Sequence, residues 1–230
     1  MLSCALCVGA TPPVGAVTLP TSFVIENEVP AGAFVQPTSM AFLPDGRLLV
    51  AEKRGTVWMV EGHVKRPIPV WDRPLEVMDL NDRGLLAIAV DPDWVHNHYL
   101  YLLYNVDPDT NGVDVDVPTF GRLARYQMSA TGDTNVTDPA SRTILMGKDW
   151  AHGPLVAMMS HSIGGLRWGA DGSLFVSAGD GGDWTHADAG GLYPGAFGPG
   201  RTDPDEDIGA YRAQDITSLC GKILRINPAN

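Results

Sequence analysis

"SHSIGGLRWGADGSLFVSAGDGGDW" spans Ser160 to Trp184 and decides how the chain reads. His161 precedes an apolar strand, a turn at Asp171-Gly172, a second β-rich strand and a glycine- and aspartate-rich exit. Asp and Gly tolerate positive φ, so Asp-Gly between apolar runs signals a hairpin. Closure at Ala170-Asp171 places His161 opposite Asp180, just past the strand ends. Closure at Asp171-Gly172 slips the pairing by two, and both residues stay at the same end. Facing side chains across a hairpin can meet. A carboxylate beside an imidazole fixes its tautomer and supports its protonated form, as a catalytic base requires.

Two other stretches share this plan. "TSMAFLPDGRLLVAEKRGTVWMV" covers Thr38–Val60, and "RGLLAIAVDPDWVHNHYLYLLYNV" covers Arg83–Val106. Thr56–Val60, Gly121–Met128 and Gly221–Asn227 add a further strand to each unit, giving three or four antiparallel strands apiece. The interval from Asp45 to Asp93 fits a four-stranded propeller blade. The longer interval from Asp93 to Asp171 fits a blade with insertions, assigned to Asp107–Phe120 and Gly147–Met159. Asp183–Asp215 is a third long loop, and long loops on a β scaffold are commonly functional lids or disordered. The fold class is therefore all-β, a β-propeller with about three four-stranded blades. Three blades do not close a ring, so the chain is expected to be part of a larger propeller or a fragment that pairs with another half.

Composition bounds the function. The 230 residues are 44% hydrophobic, enough for a core, and the 26 glycines and 18 prolines favour a turn-rich β architecture. A net charge of −11 argues against nucleic acid, which demands a basic footprint, and against anionic membrane. No run is long and apolar enough for a membrane span. The cysteines, Cys4, Cys7 and Cys220, are odd in number and scattered, and make no disulfide framework. Cys220 reads as a buried structural thiol. Residues 1–16 read as a degenerate export signal or a plain disordered terminus, 17–37 as a lead-in segment and 38–230 as the propeller part. A secreted or periplasmic location follows from the first alternative.

The blocks "RGLLAIAVDPDW", "HSIGGLRWGADGSLFVSAGDGG" and "SLCGKILRINP" resemble the soluble quinoprotein glucose/sorbosone dehydrogenases, also called aldose sugar dehydrogenases. The resemblance runs from about Thr38 to Asn227. It implies a six-bladed β-propeller that binds pyrroloquinoline quinone (PQQ) with Ca²⁺ and oxidises the anomeric carbon of a sugar. His161 is then the base, since Gly164 and Leu166 follow it as in the family, and Asp180 orients it. The resemblance also implies an Arg-Asn-Pro segment, a Ca²⁺-ligating loop and later basic residues, which are expected to lie beyond this chain. Shifting His161 back by the Asp93–Asp171 interval lands on Arg83, with Asp82 before it. Both are candidates for the cofactor side of the site, against a solvated turn pair.

Plainer readings apply elsewhere. The carboxylates of Thr202–Ala210 and Gly179–Trp184 read as solvated loops, with Ca²⁺ as the sharper alternative. Lys222 reads as a turn residue, and His152 and His186 as surface residues. The expected partners are a small-molecule sugar and a second half-propeller or a second copy. The rival functions are a non-catalytic secreted binding propeller and a Ca²⁺-dependent sugar lactonase.

Overall fold

The computed structural model describes residues 19–129 and 135–228; the expected export signal, with Cys4 and Cys7, lies outside the described residues. The chain folds into three antiparallel sheets that follow one another in sequence. The first holds β1 (Pro37–Phe42), β2 (Leu48–Glu52), β3 (Thr56–Glu61), β4 (Val64–Lys65) and β5 (Trp71–Asp72). The second holds β6 (Leu85–Val90), β7 (Tyr99–Asn105), β8 (Thr119–Met128), β9 (Thr137–Met146) and β10 (Leu155–Val156). The third holds β11 (Ile163–Trp168), β12 (Leu174–Ala178) and β13 (Lys222–Ile226). The blades thus carry five, five and three strands where about four each are expected.

The first and third hairpins close with the same turn chemistry. Gly46 N–H donates to Leu43 O (3.0 Å) and Leu43 N–H to Arg47 O (2.8 Å). The third turn repeats both bonds, Gly172 to Gly169 (3.1 Å) and Gly169 to Ser173 (2.8 Å). Gly172 has φ +80°, a conformation glycine adopts without a Cβ penalty. The Asp45 and Asp171 carboxylates accept the N–H two residues on, as in an Asx turn. The second turn is wider and encloses a one-turn helix, α1 (Trp94–Asn97).

The third hairpin closes through neither of the two loops expected. Trp168 pairs with Leu174, midway between the alternatives, because the turn consumes all of Gly169–Ser173. A bulge then adds one residue to β11, so Leu166 pairs with Val176 but Ile163 pairs with Ala178. Gly165 N–H turns to the Ser177 hydroxyl (2.8 Å) inside it. The bulge keeps Ile163 and Leu166 on one face although they are three residues apart. It also returns the pairing at this end to the one that sets His161 against Asp180. The same irregularity recurs at the start of β1, between Pro37 and Ser39, and of β6, between Leu85 and Ala87.

The middle sheet is buried on both faces, which is why β6 and β7 read as continuous apolar runs rather than alternating ones. Leu100, Leu102 and Tyr104 face the core shared with the first sheet, whereas Tyr101 and Leu103 face the third. Burying each such leucine contributes about 1.5–3 kcal/mol. The first strands, β1, β6 and β11, lie side by side. Thr38 Oγ1 donates to Leu85 O (2.5 Å), and Ser39 Oγ accepts from Ile88 N–H (3.2 Å). Their bulged ends form one mouth. Among the described residues no helix is long and apolar enough to cross a membrane.

Candidate active site

His161 lies in the two-residue lead into β11, and Asp180 lies just after β12. Their side chains meet, with His161 Nδ1 2.8 Å from Asp180 Oδ1. An ionised carboxylate only accepts, so Nδ1 carries a proton, and in the neutral ring Nε2 then keeps its lone pair. The imidazole is 43% exposed and the carboxylate 26%, so the pair is open to a ligand yet partly shielded. The Asp180 oxygen also accepts Gly182 N–H (2.9 Å), which fixes its orientation.

The other histidine–aspartate pairs differ in kind. His96, His152 and His186 contact the aspartates three residues earlier, Asp93, Asp149 and Asp183, and all three rings are exposed. Such pairs follow from local loop geometry. The His161 pair is assembled by the sheet.

The backbone around the pair is tightly determined. His161 has φ +51°, a left-handed conformation that costs a non-glycine residue roughly 1 kcal/mol. Its N–H donates to Asp82 Oδ2 (3.3 Å), and its carbonyl accepts Gly181 N–H (3.0 Å). Gly179 N–H donates to Ser162 O (2.8 Å), and a Cβ at Gly179 would stand 2.6 Å from that oxygen. Only glycine allows the two backbones this close.

Asp82 reaches the pair and Arg83 does not. Asp82 is exposed, and its N–H bonds Met159 O (3.0 Å). Arg83 is fully buried and turned into the 107–117 loop. Its guanidinium meets Asp114 (3.2 Å) and the carbonyls of Val115 (3.2 Å) and Val117 (2.6 Å). Burial lowers its pKa, and Asp114 and Asp116 oppose that. Arg83 is thus neither a solvated turn residue nor a free cation.

Sequence reasoning missed Arg212. This buried residue donates to Asp180 O (3.0 Å) and Gly181 O (3.1 Å), and to Glu206 O (3.1 Å), so it ties the long 183–215 loop to the site. Nothing in that irregular loop marks it. Lys222 Nζ donates to the carbonyls of Arg212, Ala213 and Cys220, a structural role. Asp183, expected in a solvated loop, is buried. Burial pushes its carboxyl up, but hydrogen bonds from Thr185, Tyr193 and His186 outweigh this and hold it at about 2. Among the described residues no group of three or more His, Cys, Asp or Glu is gathered for a metal ion.

Solved structures share this fold. A putative oxidoreductase (glucose dehydrogenase) from Thermus thermophilus is 24% identical, with a TM-score of 0.59 over 88% of this chain and 47% of its own. The PQQ-bound aldose sugar dehydrogenase from Streptomyces coelicolor is 22% identical, with a TM-score of 0.54 over 84% and 45%. The apo-form of the soluble aldose sugar dehydrogenase from Escherichia coli is 19% identical, with a TM-score of 0.51 over 84% and 44%. The chain therefore spans about half the length of these relatives. The glucose/sorbosone dehydrogenase model matches residues 34–230, and the chain belongs to that family.

Proposed function

We propose that this chain supplies the proton-removing half of a sugar-oxidising site. The carrying observation is the 2.8 Å bond between His161 Nδ1 and Asp180 Oδ1 at the mouth formed by the first strands. It leaves the Nε2 lone pair free to take the proton of an aldose or sorbosone-type anomeric hydroxyl. Asp180 holds the ring in that tautomer and stabilises the imidazolium that forms. By family resemblance the acceptor would be PQQ, held with Ca²⁺; when bound, PQQ would take the hydrogen of the anomeric carbon together with its electron pair.

The residues beside His161 fit the base and not a clamp for this tricarboxylate. Arg83 and Arg212 are buried against carbonyls, and exposed Asp82 is anionic. The cations and the Ca²⁺ ligands are therefore proposed to lie outside the described residues. A second half-propeller is their proposed source. The outward face of the first sheet, with Met40 68% and Phe42 64% exposed, and that of the third, with Ile223 77% exposed, are surfaces it would cover. The proposed location is secreted or periplasmic. The commitment of Arg83 also favours a second reading, a non-catalytic sugar- or protein-binding propeller.

The test is dye reduction by the protein with PQQ, Ca²⁺ and an aldose. His161→Ala is expected to lower the rate about 10²- to 10⁴-fold without unfolding the protein. Retained PQQ with no aldose-dependent reduction, or a rate indifferent to His161→Ala, overturns the enzymatic reading.

A further inference from the structure

We infer that Asn105 is the positioning residue that holds His161 in place, through a hydrogen-bond ring joining the second and third sheets. Asn105 ends β7 and is fully buried. Its Oδ1 accepts from two sources, Gly84 N–H (3.1 Å) and the Ser162 hydroxyl (2.9 Å). Its own backbone N–H donates to Gly84 O (3.1 Å), so Gly84 is gripped at both its donor and its acceptor. Ser162 adjoins His161, whose N–H donates to Asp82 Oδ2 (3.3 Å), and Asp82 lies two residues before Gly84. The ring therefore closes through Gly84, Asn105, Ser162, His161 and Asp82.

The chemistry of the amide explains the residue. One oxygen must take two donors from different sheets, which needs both lone pairs of a carbonyl. An apolar residue cannot do this, and a hydroxyl would bring a proton that needs an acceptor of its own. The Gly84 N–H fixes the amide's orientation, because the flipped form would face that donor with an NH₂ group. Nδ2 is then sealed from solvent with no partner among the described residues. An unmatched buried donor lowers stability. Asn105 is thus poorly explained as packing and well explained as a two-donor acceptor. The ring meets the left-handed backbone of His161 at its N–H, through Asp82, and at the adjoining Ser162, whereas Asp180 meets the imidazole.

This inference rests on the reading of His161 as a base, and its test does not depend on catalysis. The measurement is ¹⁵N NMR of the His161 ring in the full chain, for the parent, Asn105→Asp, Asn105→Leu and Ser162→Ala. Asn105→Asp keeps both acceptor sites and is expected to keep the single Nδ1–H tautomer. Asn105→Leu and Ser162→Ala are expected to mix the two tautomers, with the ratio falling about tenfold, the equivalent of one net hydrogen bond. Should Asn105→Leu not fold, Ser162→Ala decides alone. A folded Ser162→Ala protein whose His161 ring keeps the parent tautomer overturns the positioning role. Loss of the dye-reducing activity proposed above, with the ring response intact, would fall on the enzymatic reading instead.

Discussion

Gly179→Ala tests the close approach that brings His161 and Asp180 together. The new Cβ would sit 2.6 Å from Ser162 O, and closer still to His161 O, where ordinary van der Waals contact begins at 3.4 Å. Relieving the Ser162 contact alone requires the two backbones to part by about 0.8 Å, the difference between those distances, and the closer His161 contact requires more, because a packed interior cannot absorb it elsewhere. Carried to the side chains, this lengthens the 2.8 Å bond to about 3.6 Å or more, beyond hydrogen-bonding reach. Overpacking of this kind costs about 1–3 kcal/mol, which lowers Tm by roughly 2–12 °C in a protein of this size. Gly165→Ala is the control, since a Cβ there meets nothing within 4 Å. Calorimetry gives the Tm, and ¹⁵N NMR of the His161 ring reports the tautomer. A Gly179→Ala protein with the parent Tm and a single Nδ1–H tautomer would refute the reasoning.

Arg83→Met leaves Asp114 buried without its cation and is expected to cost about 3–5 kcal/mol in urea unfolding; a smaller effect than Glu61→Gln at the exposed Arg66 pair would contradict this. The Asp183 carboxyl sits at about 2 against an ordinary 3.8, so the folded state favours the carboxylate. Its contribution is complete above about pH 4 and is lost as pH falls through about 2, and Asp183→Asn should flatten the Tm-versus-pH curve in that window alone. Burial pushes the Cys220 thiol up to about 11. In a Cys4→Ser/Cys7→Ser background, labelling by a thiol reagent at neutral pH should therefore track global unfolding, and rapid labelling of the folded protein would show otherwise.

The hairpins were legible because their signals are local. Leu43–Arg47 and Gly169–Ser173 carry turn residues whose conformational preferences act within a few bonds. The His161–Asp180 pairing was legible for the same reason, although the route differs: a five-residue turn and a bulge replace the regular register. Strand β9 escaped notice because "TDPASRTILM" carries a proline and charges and alternates poorly. Its pairing with β8 slips register twice, so no period survives in the sequence. For Arg83, repeat register gives a position in the blade and not the direction of a long side chain. The carbonyls that capture it come from an insertion some thirty residues on, about which spacing says nothing. Asn105 did leave a mark: it is the one amide at the end of the apolar run "YLYLLYN".

The bulges at the starts of β1, β6 and β11 bear on the solubility of the protein. These three strands are sheet edges, and a flat edge is a template for intermolecular strand addition and aggregation. A bulge bends and twists the edge so that an incoming straight strand meets only part of the ladder. The Thr38 and Ser39 hydroxyls and the Trp168 indole already occupy several backbone groups that β6 leaves unpaired on its edge. The kinks that shape the mouth thus also guard the chain against fibril-like stacking, so substitutions that straighten them would show first as poor recovery during expression.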